Sequence, residues 1–312
     1  MEYATLKQTP TEETETEETA TEHTMPDYNY HFDRDDIEAA LACLDKYGFC
    51  VIRQLIDRDM VAALKDSIDR HLDPEGDLAP ASNRYHMSFA EDSEPVWDLV
   101  DHPAYMGFIR TIHGTDDLCL HRSAAILRTP GEGMGRWHQD HRGHIDNPQR
   151  ANDVLNRYPI PSGCWFYLNG SHPDRSGIAV IEKSHHLEWD GPDGFVMGPN
   201  RVGLYPEGGT PDTPYDPMSV PGCVPVLADP GDLICFAALT WHANMATRER
   251  RYSCGIGFRP KAWRIDAPWP LPASAAALAE RLPDRLKHFT DGYTGFDGLW
   301  RAEETADASR HG

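Results

Sequence analysis

Basic residues are scarce in this chain of 312 residues: 29 Lys and Arg stand against 50 Asp and Glu, a formal net charge of −21. That shortage argues against nucleic acid and an anionic membrane surface as partners, because each needs a cationic footprint. Long apolar runs are missing too, with nothing near the roughly 18 residues of a membrane span. The first residues lack the apolar stretch of a signal peptide. No Cys-x-x-Cys pair occurs. The seven cysteines (43, 50, 119, 164, 223, 235 and 254) are scattered through apolar runs such as "DLICF" and "YSCGIGF". This is the usage of reduced thiols in a cytoplasmic protein. Oligomeric state stays open.

What is present sorts into an acidic tail, a helical lead and a strand-rich body. "TPTEETETEETATEHT" (9–24) has no large apolar residue and cannot offset its ordering entropy. The expected organisation is a disordered acidic tail over 1–29, a single domain over 30–300 and a flexible C-terminus over 301–312. "RDDIEAALACLDKYG" spaces Ile37, Leu41 and Leu44 as one helix face, closed by Gly48. "FCVIRQLI" follows as a strand, then "DRDMVAALKDSIDRHL" as a helix opened by Asp57 or Asp59. The pattern is helical again around 96–113. Beyond it, strand-length runs at 118–128, 164–169, 177–182, 223–228, 231–239 and 251–259 are bounded by Gly, Pro or Asp. No helices separate them, so the expected class is α+β, mainly β: a barrel or jelly roll with flanking helices. A terminal helix over 274–289 is interrupted by Pro283. Two long connections, 141–163 and 190–222, the second with 14 Gly or Pro, read as irregular substrate-binding loops.

Candidate chemistry concentrates in "GRWHQDHRGH" (135–144). His138 and Asp140 are two apart, so at a strand end they point the same way and can share a metal face. A third ligand must come from a neighbouring strand, and His242, just after "GDLICFAAL", is the candidate. Two neutral imidazoles and one carboxylate leave three coordination positions open, the arrangement of non-haem Fe(II) oxygenases. A metal that binds 2-oxoglutarate also needs a fixed guanidinium for the distal carboxylate. Arg251 lies nine residues after His242, and Ser253 shares its strand face. Arg248 and Arg250 are rivals, the first placed in a turn and the second on the opposite face. A zinc site of His138, Asp140 and His144 is a competing set that leaves Arg251 unused. Otherwise His141 and His144 line the mouth of the site or stand in solvent. Trp137 is expected to pack beside the metal strand.

Taken in order, four segments resemble the phytanoyl-CoA dioxygenase family of Fe(II)/2-oxoglutarate-dependent oxygenases, which includes ectoine hydroxylase. "LDKYGFCVIRQLIDRDMVAALKDSID" is similar to the family's opening helix–strand–helix, and "ILRTPGEGMGRWHQD" to the strand, turn and Trp-His-x-Asp that follow. "CWFYLNGSHPDRSGIAVIEKSHH" and "VLADPGDLICFAALTWHANM" resemble its later strands, the last delivering the distal histidine. The resemblance covers roughly 36–260. It implies a double-stranded β-helix of jelly-roll or cupin-like type, with iron bound by His138, Asp140 and His242 and 2-oxoglutarate held by Arg251. It places Gln139 at a position that is glutamine in some members. His121 falls where ectoine hydroxylase carries a cosubstrate-pocket glutamine. The interval from His242 to Arg251 is shorter than the family's usual one. The implied reaction uses O2 and hydroxylates an unactivated C–H bond of a small-molecule metabolite, releasing succinate and CO2. Related halogenases carry a small residue where this chain has Asp140, which favours hydroxylation. The same scaffold also supports desaturation, epimerisation or cyclisation. From other classes, a zinc hydrolase and a non-catalytic jelly-roll binding protein compete.

Overall fold

The computed structural model describes residues 26–139, 161–186, 188–198, 202–237, 239–262 and 270–295. Asp140, His141 and His144, most of the 141–163 connection, residues 1–25 of the proposed N-terminal tail and all of the proposed C-terminal one lie outside these residues.

The chain enters through β1 (His31–Phe32), α1 (Ile37–Tyr47), β2 (Phe49–Ile52) and α2 (Arg58–Leu72). Gly48 closes α1 in the left-handed region at φ 88°, its N–H donating to the Leu44 carbonyl. A Cβ there would lie 2.6 Å from His185 Nδ1 and 2.9 Å from Thr240 Oγ1, so glycine is required by space as well as by conformation. Asp57 caps α2 by accepting from the Met60 N–H at 2.8 Å. After β3 (Asn83–His86) come α3 (Phe89–Asp92), α4 (Glu94–Val100) and α5 (Pro103–His113). The helix expected over 96–113 is therefore two, because Pro103 cannot donate a backbone hydrogen bond and starts a new helix instead.

The β body consists of β4 (Leu118–Arg128), β5 (Pro161–Tyr167), β6 (Ile178–Ile181), β7 (Phe195–Met197), β8 (Leu204–Pro206), β9 (Cys223–Pro225), β10 (Leu233–Ala237), β11 (His242–Asn244) and β12 (Arg251–Pro260). α6 (Ala273–Arg281) and α7 (Asp284–Lys287) follow, divided at Pro283. Seven strands form a major sheet in the order β1-β2-β10-β5-β12-β4-β3, and three form a minor sheet, β11-β6-β9. Every pairing is antiparallel except β1 with β2. From β9 the chain passes to β10 in the major sheet, back to β11, and returns as β12. The result is a mixed α+β, mainly β, cupin-like fold of two main sheets that, among the described residues, close no barrel.

Register decides which side chains face between the sheets, since directly paired residues share a face. Arg251, Ser253 and Gly255 on β12 pair with Arg128, Ile126 and Ala124 on β4, and Ser253 and Gly255 with Tyr167 and Trp165 on β5. Trp165 in turn pairs with Ile234. The other face carries Phe166, Cys254 and Cys235, and Tyr105 of α5 packs there with its ring 5.9 Å from that of Phe166. The helices thus cover the outside of the major sheet, and the arginine face looks toward the minor sheet. All seven cysteines are free thiols.

The 190–222 connection departs from the irregular loop expected. It holds the β7–β8 hairpin, and its Phe195, Met197, Tyr215 and Met218 pack against a second apolar cluster of Trp137, Trp241, Ala243 and Met245. These odd-numbered residues alternate with His138 and His242, so the connection walls the back of the minor sheet. Trp137 is fully buried there and donates to the Pro217 carbonyl at 3.0 Å.

Candidate active site

His138 and His242 are brought together by backbone pairing. Each N–H donates to the other's carbonyl, both at 3.0 Å, and such a doubly bonded antiparallel pair sets both side chains on one face. The imidazole centroids stand 4.4 Å apart. On its far side His138 also bridges Val202, so this segment extends the minor sheet by one short rung.

Both rings are oriented by the same device. His138 Nδ1 donates to the Arg136 carbonyl at 2.8 Å, and His242 Nδ1 donates to the Thr240 carbonyl at 2.9 Å. A carbonyl only accepts, so each neutral imidazole carries its proton on Nδ1 and its lone pair on Nε2, the tautomer a metal requires. Thr240 is itself pinned, its hydroxyl donating to the Gly48 carbonyl at 2.8 Å, and Ser184 Oγ accepts from the Trp241 N–H at 2.8 Å. Phe236 shields the buried His242 with its ring 4.7 Å away. Among the described residues no third His, Cys, Asp or Glu completes a metal-binding group; Asp140, one residue past the last described position of this segment, is outside them.

Arg251 is fully buried on the inner face of β12. Nη1 donates to Asn244 Oδ1 at 2.8 Å, and the guanidinium lies 5.5 Å from the Tyr167 ring centroid. Among the described residues Nε and Nη2 have no hydrogen-bond partner, and neither does Ser253 Oγ two residues on. Burial lowers the Arg251 pKa to about 10. Buried donors without acceptors on one strand face fit a carboxylate that takes up those bonds. Asn244 was not singled out in the sequence. It lies two residues after His242, about 7 Å along the strand, and accepts from both Arg251 and the Tyr167 hydroxyl. Its i, i+2 relation to His242 was the available signal.

The rivals of Arg251 are elsewhere. Arg250 pairs with Asp69 at 2.7 Å and Asp73 at 2.6 Å on the helix side, and Arg248 is exposed. Gln139 is fully buried and donates to the Leu239 carbonyl, bracing the His138 segment against the turn that precedes His242. His121 is not brought to the arginine face. It stands where the β4–β12 register shifts between Gly257 and Phe258, within electrostatic range of His113 at the end of α5. Ahead of that shift Arg128 and Ile126 face inward, opposite Arg251 and Ser253.

His113 yields a prediction about pH. Burial, with His121 nearby, lowers its pKa to about 4. The unfolded histidine titrates near 6.5, so between these values the unfolded chain binds more protons and stability falls as pH falls. The expected loss from pH 7 to 4 is up to roughly 3 kcal/mol. Urea melts of His113→Gln should show a smaller drop; an unchanged pH profile would count against this assignment.

The described residues also form an open groove of about 920 Å³ lined by His31, Arg53, Asn169 and Asp232 among others, which includes none of the residues that meet at His138, His242 and Arg251. No described helix is long and apolar enough to cross a membrane.

A sequence model of the phytanoyl-CoA dioxygenase (PhyH) family matches residues 44–251. Among solved structures, EctD from S. alaskensis with 2-oxoglutarate and 5-hydroxyectoine is 19% identical, with 73% of this chain and 77% of that chain covered and a TM-score of 0.50. HygX from Streptomyces hygroscopicus with nickel and 2-oxoglutarate bound is 15% identical, covering 71% and 86%, with a TM-score of 0.51. At these identities the likeness speaks for the fold. The comparison with curated proteins gives no match.

Proposed function

Since this chain belongs to the phytanoyl-CoA dioxygenase family, we propose that it is an Fe(II)- and 2-oxoglutarate-dependent oxygenase that hydroxylates a small-molecule metabolite. The observation that carries this reading is the coincidence of two Nε2-presenting imidazoles with a buried guanidinium and hydroxyl that lack acceptors. His138, His242 and Asp140 would hold the metal. Arg251 and Ser253 would bind the distal carboxylate of 2-oxoglutarate, with Asn244 fixing the guanidinium plane. When bound, Fe(II) with 2-oxoglutarate and O2 supplies the oxidising power to attack an unactivated C–H bond, with succinate and CO2 as coproducts.

The protein's share is positioning and exclusion of water. Arg251 keeps its charge, because a pKa of about 10 is still well above neutrality. A carboxylate reaching it would gain charge-assisted bonds in a water-poor setting, where they are stronger than at a surface. Tyr167 and Phe236 bury the flanks of the site. Asp140 supplies a carboxylate where a halide-binding variant needs a small residue, which supports hydroxylation over halogenation.

Anaerobic addition of Fe(II) and 2-oxoglutarate is expected to give a weak visible charge-transfer band that Asp140→Ala lacks. Wild-type protein that binds iron but shows no band would sink the cosubstrate assignment. Screening succinate release over a metabolite panel then identifies the substrate. A product that gains one oxygen atom supports hydroxylation; one that loses two hydrogens, or only inverts a centre, overturns it in favour of desaturation or epimerisation.

A further inference from the structure

A second arginine stands beside Arg251. Arg128 is the residue directly opposite it in the β4–β12 register, on the same inner face, and only 6% exposed. Its Nη1 pairs with Glu132 Oε2 at 3.0 Å, and Nη2 donates to the Tyr85 hydroxyl at 3.2 Å. Its Nε, like two nitrogens of Arg251, is buried without a partner among the described residues. Glu132 is held from both sides: its backbone carbonyl accepts from the Thr247 N–H at 2.8 Å, and Asn83 Nδ2 approaches Oε1 at 3.5 Å. Arg128, Glu132 and Tyr85 all lie within electrostatic range of the Arg251 guanidinium. Tyr85 is 43% exposed, so this group separates Arg251 from solvent at the sheet edge.

We infer that Arg128 and Glu132 form a charge-setting end wall of the cosubstrate site, making it selective for a 2-oxo acid with a distal carboxylate. The inference rests on the oxygenase reading above. Two guanidiniums and one carboxylate leave a net charge of +1, matched to one incoming carboxylate. With Arg251 alone beside an unpaired glutamate the end would be neutral. With both arginines and no acid it would carry +2 and retain small anions indiscriminately. Glu132 also holds Arg128 through one nitrogen and so leaves Nε directed elsewhere. Arg128 is therefore a specificity-determining residue additional to Arg251.

The test is calorimetric titration of the full-length, Ni(II)-loaded protein with 2-oxoglutarate and with 2-oxopentanoate, which has the same carbon chain without the distal carboxylate. Arg128→Gln is expected to weaken 2-oxoglutarate by roughly tenfold, while 2-oxopentanoate changes by less than about twofold. Glu132→Gln is expected to tighten 2-oxoglutarate several-fold, and the double variant to return toward wild type. Equal shifts for both ligands mean a structural role and overturn the inference, as does no shift for either. Should Arg128→Gln fail to fold, Glu132→Gln carries the test alone, because its carboxyl is partly exposed. Wild-type protein that binds the two ligands equally removes the cosubstrate site itself, and this inference with it. Wild-type preference for 2-oxoglutarate, unaltered in either variant, leaves the oxygenase reading standing and overturns only the end wall.

Discussion

Arg251→Met is expected to abolish 2-oxoglutarate binding without destabilising the ligand-free protein. The two effects come from one cause. In the absence of an anion the guanidinium is fully buried and satisfied only through Asn244 and the face of Tyr167. Burial, helped by the nearby Arg128 charge, pulls its pKa to about 10, which records the cost of keeping a charge there. An apolar side chain of similar length removes that cost, so the free variant should be about as stable as the wild type or more so. The ligand, however, loses its buried partner, a loss of about 3 kcal/mol or more and thus over a hundredfold in affinity. Thermal melts with and without 2-oxoglutarate read both signs at once: an equal or higher Tm for the free variant, and no shift on adding cosubstrate to the metal-loaded form. A large fall in the Tm of the free variant would mean that Arg251 is structural.

His242→Ala is expected to cost still more in metal affinity. Partners that merely orient a ligand are worth roughly 10–100-fold, so removal of the ligand itself should exceed a hundredfold in Fe(II) or Ni(II) titrations. The His138 segment stays paired, because its bond to residue 242 is made by backbone atoms, and circular dichroism should be unchanged. This result discriminates between classes. A zinc hydrolase built from His138, Asp140 and His144 does not involve His242, so retained metal and retained activity in His242→Ala would favour that reading over the oxygenase.

Local patterning in the sequence carried most of the element boundaries. β4 falls on the predicted 118–128, and β12 starts at the predicted Arg251, because strand-length apolar runs bounded by turn formers leave little freedom in where a strand begins and ends. Asp57, Gly48 and Pro283 each ended or began a helix through their own backbone chemistry. The short elements β1, β3, β7, β8 and β11 escaped notice, since two to four residues hold too little periodicity to read.

The site was legible where it depended on spacing along one strand. His138 and Asp140, or Arg251 and Ser253, are paired by alternation alone, and the same rule separates Arg250 from Arg251. Cross-strand register could not be read in the same way. It put Arg128 beside Arg251, set His121 at a register shift near His113, and gave Gln139 a carbonyl across the turn. It also made the 190–222 connection a back wall, through apolar side chains whose partners on Trp137, Trp241 and Ala243 lie far away in sequence. By itself the sequence determined which residue types exist to bind a metal and an anion, and the strand faces on which they stand. Tertiary structure alone decided which of them meet and which remain buried without partners, because burial and pairing depend on neighbours that no local spacing specifies.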